Sequence, residues 1–187
     1  MIKLILVGGI PGSGKTLIGK RIASHIGMYI DKDTLSQDFS SELLSALGSH
    51  ANDRESQVYM NNVRPIEYQS MIELAFENLV LGNSVVCSAP FIKEFGDKEW
   101  IEEMELRASV HYVQVVKVLV QVDMPTAYIR IKERGESRDK FKLDDWETYS
   151  KALPKATPSG FNGVLIDNSV KNDMEVLKRI DLMFKFL

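Results

Sequence analysis

The stretch Gly9-Ile10-Pro11-Gly12-Ser13-Gly14-Lys15-Thr16 constrains this chain more than any other. It follows the apolar run Leu4-Ile5-Leu6-Val7 and opens a helical pattern near Leu17. The order predicted is therefore strand, glycine-rich loop, helix, the context in which the pattern reads as a phosphate-binding loop. Gly9, Gly12 and Gly14 admit backbone angles closed to residues with a side chain, so several N–H groups can turn inward around one anion. The following helix points the positive end of its dipole at the same spot. Lys15 adds a full charge able to reach the β- and γ-phosphates of a nucleotide. Thr16 offers a hydroxyl to Mg²⁺, which keeps several waters and bridges the phosphates. The alternative, a chance glycine-rich turn, does not explain why every fixed position is filled. The pattern implies nucleoside triphosphate binding and says nothing about the fate of the γ-phosphate.

The 187 residues suit one α/β domain, and the chain reads as a single domain over 1–187. A net charge of -3 gives no strongly basic footprint, so bulk affinity for nucleic acid or membrane is not expected. The single cysteine, Cys87, excludes an internal disulfide, gives no cysteine zinc cluster and fits a reducing, cytoplasmic setting. The N-terminal apolar run is too short for a secretory leader, and no apolar stretch approaches the roughly 20 residues that span a bilayer.

Strands are predicted at residues 2–8, 28–30, 84–89, 113–122 and 163–167. Helical patterns fall at 15–26, at 35–48 with Leu43, Leu44 and Leu47 as the apolar face, and at 54–81 with an interruption at Pro65. Further helical patterns cover 97–109, 125–134, 144–153 and 174–187, with a polar, charged segment at 135–143 and a loop at 154–162. Thr34 or Asp33 is the expected cap of the second helix. Strands alternating with helices imply a parallel sheet covered on both faces. Ligands of such sheets bind beyond the carboxyl ends of the strands. The glycine-rich loop, Asp31 to Asp33, and Ser88 to Phe91 should therefore surround one crevice. No N-K-x-D guanine signature occurs, which favours ATP over GTP.

Three pieces together carry a family resemblance: Gly9 to Thr16, Ile30-Asp31-Lys32-Asp33, and Arg130-Ile131-Lys132-Glu133-Arg134-Gly135 followed by Arg138-Asp139. With them the chain resembles the AAA_33-like P-loop kinases, the group of polynucleotide 5′-kinase, the zeta toxins and chloramphenicol phosphotransferase. The resemblance implies a P-loop NTPase fold, a five-stranded parallel sheet with helices on both faces and a short arginine-bearing lid at about 130–145. It puts the general base for an acceptor hydroxyl on Asp33 and makes Asp31 a metal-side candidate. It maps the lid arginines onto Arg134 and then Arg130, where guanidinium groups stabilise charge on the transferring phosphoryl group. The plainer alternatives are that Asp33 only caps a helix and that the arginines lie on a solvated face. Many P-loop proteins carry an aspartate after the third strand; here Ser88 stands there, so Mg²⁺ should rest on Thr16, phosphates and water. Ile166-Asp167-Asn168-Ser169 often packs beside adenine in this group, which makes Asn168 a nucleotide-contact candidate.

Acceptor sites of this fold lie on the helices after the second strand, here residues 35–70. Arg54, Tyr59, Asn62, Arg64 and Tyr68 are the candidates, with Arg64 beside the Pro65 kink. The function expected is an ATP- and Mg²⁺-dependent kinase acting on a hydroxyl of a small molecule: a metabolite, nucleoside or antibiotic. The alternatives are a 5′-hydroxyl polynucleotide kinase, for which a basic groove is not evident, and a non-catalytic ATP-binding switch. The sequence names neither the acceptor nor the oligomeric state.

Overall fold

Side chains alternate along a strand, so the run Leu4-Ile5-Leu6-Val7 divides between two faces. All four residues are fully buried, which requires cover on both sides of the sheet. The computed structural model describes residues 1–153, 157–169 and 173–184. Five parallel strands, β1 (Lys3–Gly8), β2 (Gly27–Asp31), β3 (Ser84–Ser88), β4 (Gln114–Gln121) and β5 (Val164–Asp167), lie in the order β2-β3-β1-β4-β5. The α-helices among the described residues are α1 (Lys15–Ile26), α2 (Lys32–Ala46), α3 (Arg64–Val80), α4 (Lys98–Ser109), α5 (Met124–Arg134), α6 (Lys140–Asp144), α7 (Trp146–Ala152) and α8 (Asp173–Phe184). No described helix is long and apolar enough to cross a membrane.

Leu4, Leu6, Val85 and Cys87 pack one face against Met71, Ala75 and Phe76 of α3 and Met104 and Ala108 of α4. Ile5, Val7, Val86, Val118 and Val120 pack the other against Ile18 and Ile22 of α1 and Val176, Ile180 and Phe184 of α8. The register sets Val7 of β1 and Asp31 of β2 both opposite Ser88 of β3. The phosphate loop and the start of α2 therefore leave the sheet at one edge, side by side. This is the α/β P-loop NTPase architecture.

Several boundaries differ from the sequence reading, each for a local reason. The α2 helix starts at Lys32 because Asp31, in extended conformation, accepts from the N–H groups of Asp33 and Thr34; the cap is Asp31, not Asp33 or Thr34. The inward stripe of α2 is Lys32, Ser36, Ser40 and Leu44, while Leu47 is exposed. Three polar positions on that stripe hid the true face from hydropathy. The long helical stretch is a π-helical turn, Tyr59–Val63, continuing into α3, with Pro65 in the first turn of α3, where its missing N–H costs nothing. The polar segment 135–143 forms a 3₁₀ turn, Ser137–Asp139, and most of α6. Parts of the predicted loop 154–162 and closing helix 174–187, at 154–156 and 185–187, lie outside the described residues.

Candidate active site

Gly14 closes the phosphate loop and caps α1 in the left-handed conformation, with φ 87°, and no side chain claims the first-turn N–H groups. An added Cβ there would stand 2.3 Å from Asn168 Nδ2, so glycine is required twice over. Asn168 itself is buried and donates through Nδ2 to the Ser13 carbonyl at 2.8 Å. Its own carbonyl accepts from Arg130 Nη1 at 3.0 Å. Asn168 and Arg130 thus brace the loop at Ser13 and Gly14. The Ser13 hydroxyl is buried without a hydrogen-bond partner among the described residues. The unclaimed amides of α1, that orphan hydroxyl and Lys15 form a cradle that suits the phosphates of ATP.

Thr16 is exposed at the loop's end, its Oγ1 3.4 Å from Asp31 Oδ2. Tyr29 donates to the same oxygen at 2.9 Å, while Asp31 Oδ1 caps α2. A hydroxyl backed by a carboxylate suits a hydrated Mg²⁺ that also rests on phosphate oxygens. Among the described residues no group of three or more His, Cys, Asp or Glu could hold a metal by itself.

Asp33 lines a cleft beside the loop, shared with Lys15, Arg54, Arg64, Arg134 and Arg138. Burial alone would raise its carboxyl, but Lys32, Arg138 and Lys15 outweigh that and hold it well below the usual carboxylate range. Lys32 Nζ lies 2.9 Å from Asp33, and Arg138 pairs with the carboxylate from the other side. Burial pushes the Lys15 ammonium down to about 8, against the opposing pull of Asp33 and with help from Arg134.

Lys32 is the key to the orientation of Asp33. It is 4% exposed and donates to Glu67 Oε2 at 2.6 Å. Glu67, 2% exposed, also accepts from Tyr59 at 2.7 Å and from Ser40 at 2.5 Å. Every member of this network is satisfied, which is the condition under which a buried polar cluster gives rigidity. Arg134 donates twice to buried Asp139, at 2.6 and 2.8 Å. Arg64 pairs with Glu94 at 2.7 Å and lies over the Tyr68 ring at 4.2 Å. Arg54 stacks over Tyr59 at 5.4 Å.

The structure thus brings together Lys15, Asp33, Arg54, Arg64 and Arg134, with Tyr59 and Tyr68, on one cleft. Arg130 and Asn168 do not line that cleft but meet the phosphate loop at Ser13 and Gly14, and the exposed Asn62 side chain donates to its own helix at Val58. Sequence reasoning missed Lys32, Glu67 and Glu94. A signal existed for Glu67: it falls four residues after Val63 and four before Met71, on an apolar stripe that has no use for an unpartnered carboxylate.

A family model described as an AAA domain matches residues 4–155. No curated protein gives a significant sequence match. Among solved structures, a sugar kinase from Janibacter sp. HTCC2649 aligns over 97% of this chain and 94% of its own, at 14% identity and TM-score 0.60. A gluconokinase from Sinorhizobium meliloti 1021 aligns over 98% and 94%, at 17% identity and TM-score 0.55. Chaetomium thermophilum Kti12, in complex with ADP-AlF3, aligns over 97% of both chains, at 16% identity and TM-score 0.56. At such identities the likeness shows a shared fold. The family match spans β1 to the end of α7 and takes in the phosphate loop, Asp33 and the 130–145 segment. The chain therefore belongs to the AAA_33 family of AAA domains and has the fold of the P-loop kinases.

Proposed function

We propose that the protein, a single domain over 1–187, is an ATP-dependent kinase that phosphorylates a hydroxyl of a small molecule. The observation that carries this reading is the shared cleft: Asp33 and Lys15 both line it and attract each other, with Arg134 and Arg138 contributed by the 130–145 segment. The loop amides and Lys15 hold the phosphates of ATP, and Thr16, with Asp31 behind it, holds Mg²⁺. When bound, Mg²⁺ offsets charge on the phosphate oxygens. The acceptor oxygen forms a bond to the γ-phosphorus, the bond from that phosphorus to the β–γ bridging oxygen breaks, and ADP departs.

Asp33 stays ionised at neutral pH, so it accepts a hydrogen bond from the acceptor hydroxyl and aims its oxygen. Phosphoryl transfer through a loose transition state asks little of a base before the new bond forms. The proton passes to Asp33 as that bond forms and then to water. The 130–145 segment acts as the lid, bringing Arg134 and Arg138 over the transferring group, where guanidinium charge stabilises the transition state. Arg54 and Arg64 serve the acceptor.

The likeness to a sugar kinase and a gluconokinase supports a phosphotransferase with a small acceptor, and the ADP-AlF3 bound to Kti12 supports nucleotide binding. One observation favours a second reading. The Arg138–Asp33 pair occupies the proposed acceptor carboxylate, as in a switch whose segment moves on ATP binding.

The test is ATP turnover with Mg²⁺ against a panel of hydroxyl-bearing metabolites, antibiotics and 5′-hydroxyl oligonucleotides. The kinase reading expects slow basal hydrolysis that one small alcohol accelerates, with γ-label appearing on that alcohol. Tight ATP binding with no label on any acceptor supports the switch.

A further inference from the structure

The cations around the cleft are not equally answered. Arg64 has Glu94, Arg134 has Asp139, and Lys32 has Asp33 and Glu67. Arg138 has Asp33 and Glu136, and Lys142 lies 3.4 Å from Asp139 and 3.6 Å from Glu55. Lys15, assigned to the phosphates of ATP, and Arg54 have no ion-pair partner among the described residues. Arg54 Nη2 reaches only the Gln37 carbonyl at 3.3 Å and the Ser41 hydroxyl at 3.4 Å. Its Nη1 is buried and meets no acceptor there. A partly buried guanidinium without a counter-charge is costly, and an anion entering the cleft removes that cost. The surplus is local, because the whole chain carries a net charge of -3.

Position supports the same conclusion. Arg54 stacks on the ring of Tyr59, and the Tyr59 hydroxyl joins the Lys32–Glu67 pair that orients Asp33. Arg54 and Asp33 both act electrostatically on that hydroxyl. Arg54, over the ring of Tyr59, and Asp33, paired with the Lys32 that reaches the Tyr59 hydroxyl at 3.5 Å, are thus connected through one tyrosine and line the same cleft, so one bifunctional molecule can meet both. A guanidinium fork recognises carboxylate and phosphate by paired hydrogen bonds. We propose that the acceptor is an anionic alcohol, a hydroxy-carboxylate or a hydroxyl-bearing phosphate ester, whose anion docks on Arg54 while its hydroxyl meets Asp33. This deepens the kinase reading and rests on it.

The experiment is calorimetric titration of the protein saturated with ADP and Mg²⁺, using glycerate, glycerol 3-phosphate and uncharged glycerol as probes that share one three-carbon frame. The same probes are then offered with γ-labelled ATP. At least one anionic probe should bind about tenfold or more tighter than glycerol, the scale of a charge-assisted hydrogen-bond pair. Arg54→Gln, which retains donors for Gln37 and Ser41, should abolish that preference, and Arg54→Lys should retain part of it. Melting curves confirm that both variants fold. Equal binding of glycerol and the anions, an anion preference untouched in Arg54→Gln, or no anion binding at all would overturn the proposal. Arg54-dependent binding of a 5′-hydroxyl oligonucleotide that displaces both small anions would overturn it in favour of a polymer. Arg54-dependent anion binding without label on any alcohol supports the anion site and counts against the kinase reading alone.

Discussion

Asp33 sits between two cations, and its chemistry follows from them. Lys32 and Arg138 hold the carboxylate ionised far below neutrality. It therefore adds no acid limb to the rate within the range of ordinary assays. Lys15 sets the other side. Its ammonium, pushed down to about 8 by burial, is charged below that pH and neutral above it. In the proposed kinase, kcat/KM for ATP should thus be level from about pH 5 to 7 and fall above about 8. Bound phosphate favours the charged amine, so the same limb in kcat should lie at higher pH. Calorimetry above pH 8 in buffers of differing ionisation enthalpy should detect proton uptake on ADP binding, and Lys15→Arg should remove it. Stability follows the opposite pattern at Asp33: its contribution is complete above its unfolded pKa of about 3.9 and is lost as pH falls through the lower folded value.

Two junctions between elements hold the site. The first is the contact of the phosphate loop with the turn after β5, through Gly14 and Asn168. Gly14→Ala combines a strained φ with a close contact, and should weaken ADP binding by more than about tenfold, since unfavourable backbone conformations cost on the order of 1–3 kcal/mol. Asn168→Ala on that background removes the contact but not the strain, so calorimetry should show partial recovery. The second junction is the Lys32–Glu67 pair, which ties α2 to α3 and, through Tyr59, to the π-helical turn. Glu67→Leu leaves Lys32 buried beside a single carboxylate, and should cost about 3–5 kcal/mol in denaturant unfolding. These junctions also mark where the sequence stopped being legible. Strand positions, the loop and α1 followed from local apolar runs and glycine spacing, whereas the order β2-β3-β1-β4-β5 did not. The Lys32–Glu67 pair did not, because it joins residues 35 apart whose inward orientation depends on where α2 begins. That start depends on Asp31, one of three neighbouring residues able to cap. Arg134 was legible as a site residue, but its bidentate partner Asp139 was not. Gly135, with φ 63°, reverses the chain and folds Asp139 back onto the helix that ends at Arg134.

At the scale of the molecule, a sheet buried on both faces gives a rigid edge from which the phosphate loop and α2 project together. The 130–145 segment, by contrast, meets Asp33 and Glu55 through polar pairs at the cleft. Such contacts break and re-form far more readily than a packed core. Amide hydrogen exchange should therefore show new protection at 130–145 when ADP, Mg²⁺ and acceptor are bound together, with β1, β3 and β4 unchanged. The central claim is that this edge aims an acceptor hydroxyl at the γ-phosphate through Asp33. Its most direct test is single-turnover transfer of γ-label to the best acceptor, in the wild type and in Asp33→Asn. The account predicts a loss of transfer of about 10²–10⁴-fold in the variant, with ADP affinity within a few-fold of wild type. Transfer at wild-type rate in Asp33→Asn would contradict it.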